Sequence, residues 1–141
     1  MSRDVDRVFL DANVLFSAAY VPDSRLRELW ALPSTKLITS QLALEEALRN
    51  LAVYYPDGVP ALGDLSARIT ITPAVRADGA LPGEVGLPDK DRPIVAAAVA
   101  ALCTHLLTGD RRHFGALYGR KVHGVLILTP AQYLRLRKAR R

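Results

Sequence analysis

The chain has 141 residues, half of them apolar, with 19 Lys or Arg against 14 Asp or Glu and a formal net charge of +5. That length and apolar content can bury a core in one domain, residues 1–141, without disulfides or a structural metal, and a lone Cys103 in an alanine-rich stretch reads as a small buried apolar residue of a reducing cytoplasm. Charges at Arg3, Asp4, Asp6 and Arg7 precede the first apolar run, and no apolar run reaches the roughly 18 residues a membrane helix needs, so a soluble, unexported protein is expected.

In chain order, Val8-Phe9-Leu10 is a strand-favouring run that ends at Asp11, with Asn13 two residues on. Val14, Leu15, Ala18 and Ala19 recur at helical spacing directly after it. Pro22-Asp23-Ser24 breaks that helix, and Ser24 caps a second one carrying Leu26, Leu29 and Trp30 up to Pro33. Trp30 reads as core rather than as a base-stacking platform. Lys36–Thr39 is a second strand, followed by a Ser40-capped helix whose apolar stripe is Leu44, Ala47, Leu48 and Leu51. Tyr54–Gly63 holds Pro56, Gly58 and Pro60 and reads as loop, Arg68–Thr72 as a strand, and Ala77–Pro88 again as loop. Pro93–Cys103 is a helix and His105–Thr108 a buried strand, stopped by a Gly109-Asp110 turn in which Asp110 can cap a short helix anchored by Phe114. Val125–Leu128 is a last strand, and Thr129-Pro130 opens a last helix. Strands alternating with helices predict an α/β fold, a three-layer α/β/α sandwich with a mostly parallel sheet and right-handed crossovers.

In such a sheet the loops at the carboxyl ends of the strands share one crevice. The topology brings four acidic positions there: Asp11, Glu45 or Glu46, Asp91 and Asp110. Singly, each has a plainer role, as helix cap, favourable first-turn charge or exposed face. Together they are a set of hard oxygen ligands of the kind Mg²⁺ or Mn²⁺ takes, and such an ion can acidify water and neutralise charge on a phosphate. His105, His113 and His123 lack paired spacing and one cysteine builds no zinc site, so Zn²⁺ is not expected. There is no GxxxxGK[ST] loop and no GxGxxG turn after a strand. All 14 acids lie at or before Asp110, whereas nine Lys or Arg and no acid follow it. Arg111, Arg112, Arg135, Arg137 and Lys138 in that basic stretch are the candidates for contact with a phosphate backbone.

Three segments carry a family resemblance. VFLDANVLFSA, from Val8, resembles the opening of PIN domains, where a strand ends in an acid followed by a polar Asn or Thr. ITSQLALEEALRNL, from Ile38, is similar to the PIN segment in which a helix after the second strand presents a Glu. DKDRPIVAAAVAALCTHLLTGDRRHF, from Asp89, resembles the PIN stretch in which an Asp precedes a helix and a TGD turn ends the next strand. The resemblance spans most of the chain and is weak over Val53–Pro88. It implies a Mg²⁺- or Mn²⁺-dependent ribonuclease, many PIN domains being toxins of VapBC-type toxin–antitoxin pairs. It implies an acidic quartet of Asp11, Glu46, Asp91 and Asp110 as catalytic metal ligands, Glu46 being preferred over Glu45, and Asp91 over Asp89, by the register of the family pattern. It also implies supporting roles for Asn13 and Thr108, RNA as substrate, an antitoxin protein as partner, and a homodimer. Two other readings compete: a PIN-fold RNA-binding or adaptor protein that does not cut, and a metal-dependent phosphatase acting on small phosphate esters.

Overall fold

The computed structural model describes residues 5–22, 24–73, 92–110 and 114–140. Strand β1 (Asp6–Leu10) feeds helix α1 (Ala12–Tyr20), and a 3₁₀ helix (Arg25–Ala31) leads to β2 (Thr35–Ser40) and α2 (Gln41–Tyr54). A 3₁₀ turn (Pro56–Gly58), α3 (Val59–Ser66) and β3 (Thr70–Thr72) complete the first half. The second half runs α4 (Arg92–Ala100), β4 (His105–Leu107), a 3₁₀ turn (Gly115–Leu117), β5 (Lys121–Val122), β6 (Val125–Leu128) and α5 (Pro130–Ala139). The strands form one sheet in the order β3-β2-β1-β4-β6-β5, parallel except for the β5–β6 pair. This is the expected mostly parallel α/β architecture.

Local chemistry explains most boundaries. Asp11, Ser24, Ser40 and Thr129 each place a side-chain oxygen on a backbone N–H at a helix start, and Thr129 with Gln132 closes a reciprocal capping box. The central strands β1, β4 and β6 are covered on both faces, so Val8, Phe9, Leu10, Leu106, Leu107 and Ile127 are fully or almost fully buried. Cys103 is buried too, and burial pushes its thiol up to about 11, which keeps it protonated and unreactive. Trp30 packs against the core and donates its indole N–H to the carbonyl of Leu65 at 3.0 Å, as a structural residue should.

Four expectations need correction. Tyr54–Gly63 is helical rather than loop, because Pro56 and Pro60 stand in the first turns of the 3₁₀ segment and α3, where a missing N–H costs nothing. Gly58 is there for space: a Cβ on it would meet Tyr55 Cδ2 at 2.9 Å and Leu51 Cδ2 at 3.0 Å. The helix expected to reach Cys103 ends at Ala100, since Leu102 turns into the left-handed region at φ 58° and Cys103 N–H bonds back to the carbonyl of Ala98. The strand expected from Arg68 begins at Thr70, after a turn. Finally, β5 went unforeseen; it pairs with β6 through a two-residue turn, His123-Gly124, with both residues at positive φ. The Ala77–Pro88 loop expectation lies outside the described residues.

Candidate functional site

The strand order reverses between β1 and β4: the chain winds outward from β1 through β2 to β3, then returns to β4 and winds the other way through β6. A crevice opens at the carboxyl ends of strands at such a switch point. Leu10 pairs with Leu107 and Leu107 with Leu128, and the ladder runs one step further, with Asp11 N–H on the carbonyl of Leu107 and Thr108 N–H on that of Leu128, both at 3.1 Å. Asp11 and Thr108 therefore leave the sheet side by side.

What joins them is a closed set of hydrogen bonds. Asp11, only 7 % exposed, accepts the Ala12 N–H on Oδ1 at 2.7 Å. Its Oδ2 accepts the hydroxyl of Thr108 at 2.9 Å and Nδ2 of Asn13 at 3.3 Å. The Thr108 hydroxyl, fully buried, in turn accepts Asn13 Nδ2 at 3.2 Å and the backbone N–H of Asp110 at 3.1 Å. Asn13 Oδ1 accepts the N–H of Gly109 at 2.8 Å. One donor and two acceptor positions are all a hydroxyl has, so Thr108 is saturated and its rotamer fixed. Tyr118 steadies the same turn by donating its hydroxyl to the carbonyl of Thr108 at 2.8 Å. Asp11 is thus a helix cap, as the plainer reading held, and is also tied through Thr108 and Asn13 to the Gly109-Asp110 turn.

Asn13, Gly109 and Asp110 line a cleft of about 460 Å³ together with Val14, Ser17, Leu26, Pro130 and, from α2, Glu46. Glu45 is not on this wall. On α2 the fully buried residues are Ala43, Ala47 and Leu51, while the expected Leu44 and Leu48 are only partly buried. At about 100° per residue, Glu46 flanks that Ala47-centred stripe on the Asn50 side, while Glu45 lies on nearly the opposite face. The cleft has two residues with no warning in the sequence reading, Ser17 and Asn50, which lines its extension with Glu46. The only signal for either is spacing: Asn13 with Ser17, and Glu46 with Asn50, are i,i+4 pairs on facing helices.

Asp91, Asp89, Arg111, Arg112 and His113 lie outside the described residues. Among the described residues, no three His, Cys, Asp or Glu side chains stand together closely enough to hold an ion. The donors that do line or adjoin the cleft are oxygens: the carboxylates of Asp110 and Glu46, the amide of Asn13, the hydroxyl of Ser17, and behind them Asp11. That chemistry fits a hard divalent cation and suits neither zinc nor copper.

The basic helix lies elsewhere. Pro130 touches the cleft, but α5 runs from there back along the sheet, and its last turns meet the amino ends of β1 and β2. The guanidinium of Arg137 is committed to the Thr35 and Tyr133 hydroxyls and the carbonyl of Pro33, and it pairs with Asp6 at 3.6 Å. Arg140 bonds Asp6 at 2.9 Å, and the Tyr133 hydroxyl donates to the same carboxylate at 2.6 Å. Burial opposes ionisation of Asp6, but the Tyr133 and Arg140 bonds outweigh it, so its pKa is lowered; burial and the Asp6 bond push Tyr133 up to about 12. Arg135 and Lys138 are exposed on the same helix. Of the basic residues expected to hold a strand, Arg137 is therefore engaged within the fold, at the amino ends of β1 and β2.

No family profile and no curated protein sequence matches the chain. Solved structures do resemble it. VapC20 of Mycobacterium tuberculosis, a sarcin-ricin loop cleaving toxin, is 15 % identical over 77 % of this chain and 94 % of its own, with a TM-score of 0.57. VapBC2 of Rickettsia felis, solved with a DNA fragment from its promoter, is 15 % identical over 87 % and 98 %, with a TM-score of 0.60. PAE2754 of Pyrobaculum aerophilum is 20 % identical over 98 % and 92 %, with a TM-score of 0.62. In topology the chain has the PIN fold of the VapC structures it resembles.

Proposed function

We propose that residues 1–141 form a single nuclease domain, a Mg²⁺- or Mn²⁺-dependent endoribonuclease that serves in the cytoplasm as the toxin of a toxin–antitoxin pair. The observation that carries this reading is the Asp11–Asn13–Thr108–Asp110 network at the switch point, facing Glu46 across one cleft. Asp11, Glu46, Asp91 and Asp110 are the residues that would hold the ion. When bound, a divalent cation supplies positive charge to a phosphodiester and acidity to water.

The chain's own contribution is positional. Thr108 and Asn13 hold the Asp11 carboxylate in place at the switch point through its Oδ2. Glu46, exposed on α2, would take a proton from water or orient it. The likeness to VapC20 and VapBC2 supports RNA as substrate and an antitoxin protein as partner; a second copy of the chain is a further proposed partner. No helix among the described residues is long and apolar enough to cross a membrane.

The test is cleavage of structured RNA by the purified chain in millimolar Mg²⁺ or Mn²⁺ and in chelator, with nitrophenyl phosphate as a parallel substrate. The expected result is metal-dependent cleavage of RNA alone, lost in Asp110→Asn with folding retained. Turnover of the small ester instead would make the chain a phosphatase, and RNA binding without cleavage would make it an adaptor.

A further inference from the structure

The cleft continues past the acids into a second hollow of about 420 Å³, lined by Asn13, Phe16, Ser17, Glu46, Asn50 and Tyr54. Asn13, Ser17 and Glu46 belong to both, so the two form one trough. Its far end has a different chemistry. Among the described residues no Lys or Arg lines it; instead α1 offers Phe16 and α2 offers Tyr54, with Asn50 and Ser17 in the same lining. Tyr54 is 75 % exposed. Phe16 is held by a ring array: Tyr20 stacks on it at 5.6 Å and 17°, and Tyr55 meets Tyr20 edge-on at 4.9 Å.

Each class of occupant would be recognised by a different lining. A phosphate is met by Lys, Arg or clustered N–H groups, and a partner helix by aliphatic anchors at i, i+3, i+4 and i+7. This hollow has neither. It has two aromatic rings together with an amide and a hydroxyl, the groups by which unpaired bases are held: stacked on rings and hydrogen-bonded along their edges. We propose that the Phe16–Tyr54 hollow is a base-stacking subsite for single-stranded nucleic acid, seating the base of a nucleotide adjacent to the phosphodiester at the acids. The adjacency rests on the nuclease reading; the stacking chemistry does not. Val21 and Val53 are also exposed near this end of the helices, so a protein surface is the rival occupant that the test must separate.

The experiment uses the full chain carrying Asp110→Asn, to prevent turnover, in Mg²⁺, with fluorescent oligouridylate and oligoadenylate of about six nucleotides. Since one base stack contributes about 1–3 kcal/mol, Tyr54→Ala should weaken binding about 5- to 150-fold, while Tyr54→Phe stays within about twofold of its parent. An oligonucleotide with one abasic position should bind the parent as weakly as the intact one binds Tyr54→Ala. The melting temperature should not move, because the side chain is exposed. Equal affinity of Tyr54→Ala and its parent overturns the subsite. So does a Tyr54→Ala variant whose only change is a lower molar mass by light scattering, which gives this face to a second copy. If the wild type cleaves no RNA yet Tyr54-dependent, base-dependent binding persists, the nuclease reading falls and the subsite stands. If it cleaves and binding ignores Tyr54, the subsite alone falls.

Discussion

Thr108→Val removes one hydroxyl and keeps the side chain's shape, so it isolates the network at the switch point. The lost atom donates to the Asp11 carboxylate at 2.9 Å and accepts from Asn13 and from the N–H of Asp110. Asn13 keeps its other contact with Asp11; the bond that the hydroxyl gives the Asp11 carboxylate is lost at a buried position that valine leaves without a donor. A hydrogen bond to a buried charged group contributes about 1.5–3 kcal/mol, so a loss of about 2–3 kcal/mol is expected. With an unfolding entropy of about 2.1 cal/mol/K per residue, the 141-residue chain has about 0.3 kcal/mol/K, and the melting point should fall by about 7–10 °C. Thr108→Ser keeps the hydroxyl and loses a methyl worth about 1 kcal/mol, a fall of only about 3 °C. Calorimetry of both variants in chelator measures this without an ion to mask it. In the same pair, cleavage should fall about 10- to 100-fold for valine and little for serine, as for partners that orient a metal ligand. Equal melting points for the two variants would refute the argument, since the hydroxyl would then hold nothing.

Three further outcomes follow from the same geometry. Glu46→Gln should lose most turnover with little change in RNA affinity, and Glu45→Gln should match wild type, as measured by single-turnover cleavage beside equilibrium binding; the reverse pattern moves the site one residue back. Asp6→Asn should cost about 1–3 kcal/mol near pH 7, and the gap from wild type should close in acid: the folded-state pKa of Asp6 is lowered, so its stabilisation is present above the unfolded value of 3.8 and is lost as pH falls through the folded one. Urea denaturation from pH 7 to pH 3 reads that gap, and a gap that does not shrink below pH 4 contradicts it. Replacing Arg135 and Lys138 by Gln should leave the slope of log Kd against log salt for RNA unchanged, whereas a drop of about one unit per charge would return them to the binding surface.

The reading of strands was secure where short apolar runs end in a turn former, which is why Leu10-Asp11 and Thr108-Gly109-Asp110 could be placed on one sheet edge before any coordinates. Topology then brought Asp11, Asn13, Thr108 and Asp110 together, and set Glu46 on the cleft wall. What failed has identifiable causes. Pro56 and Pro60 look like breakers, yet at the first turn of a helix proline breaks nothing. On α2 a hydropathy reading favours Leu44 and Leu48, but the small Ala43 and Ala47 allow α1 to approach closely and take the centre of the buried face; that rotation is what separates Glu46 from Glu45. His123-Gly124 is a weaker hairpin signal than Asn-Gly, so β5 stayed hidden. That Arg137 is tied to Thr35, Tyr133 and Pro33 was not legible either, because a sum of charges has no direction.

The fastening of Asp6 to α5 also bears on how the molecule is made. Tyr133 and Arg140 lie 127 and 134 residues from the carboxylate they bind, and β1 is an interior strand that needs β4 on one side and β2 on the other. β1 precedes α5 in the chain, yet a buried Asp6 without Tyr133 and Arg140 would carry an uncompensated charge. Closing so long a loop is slow, so native β1 must await the arrival of α5 from the ribosome. The acid at the other end of the same strand, Asp11, is then assembled late as well.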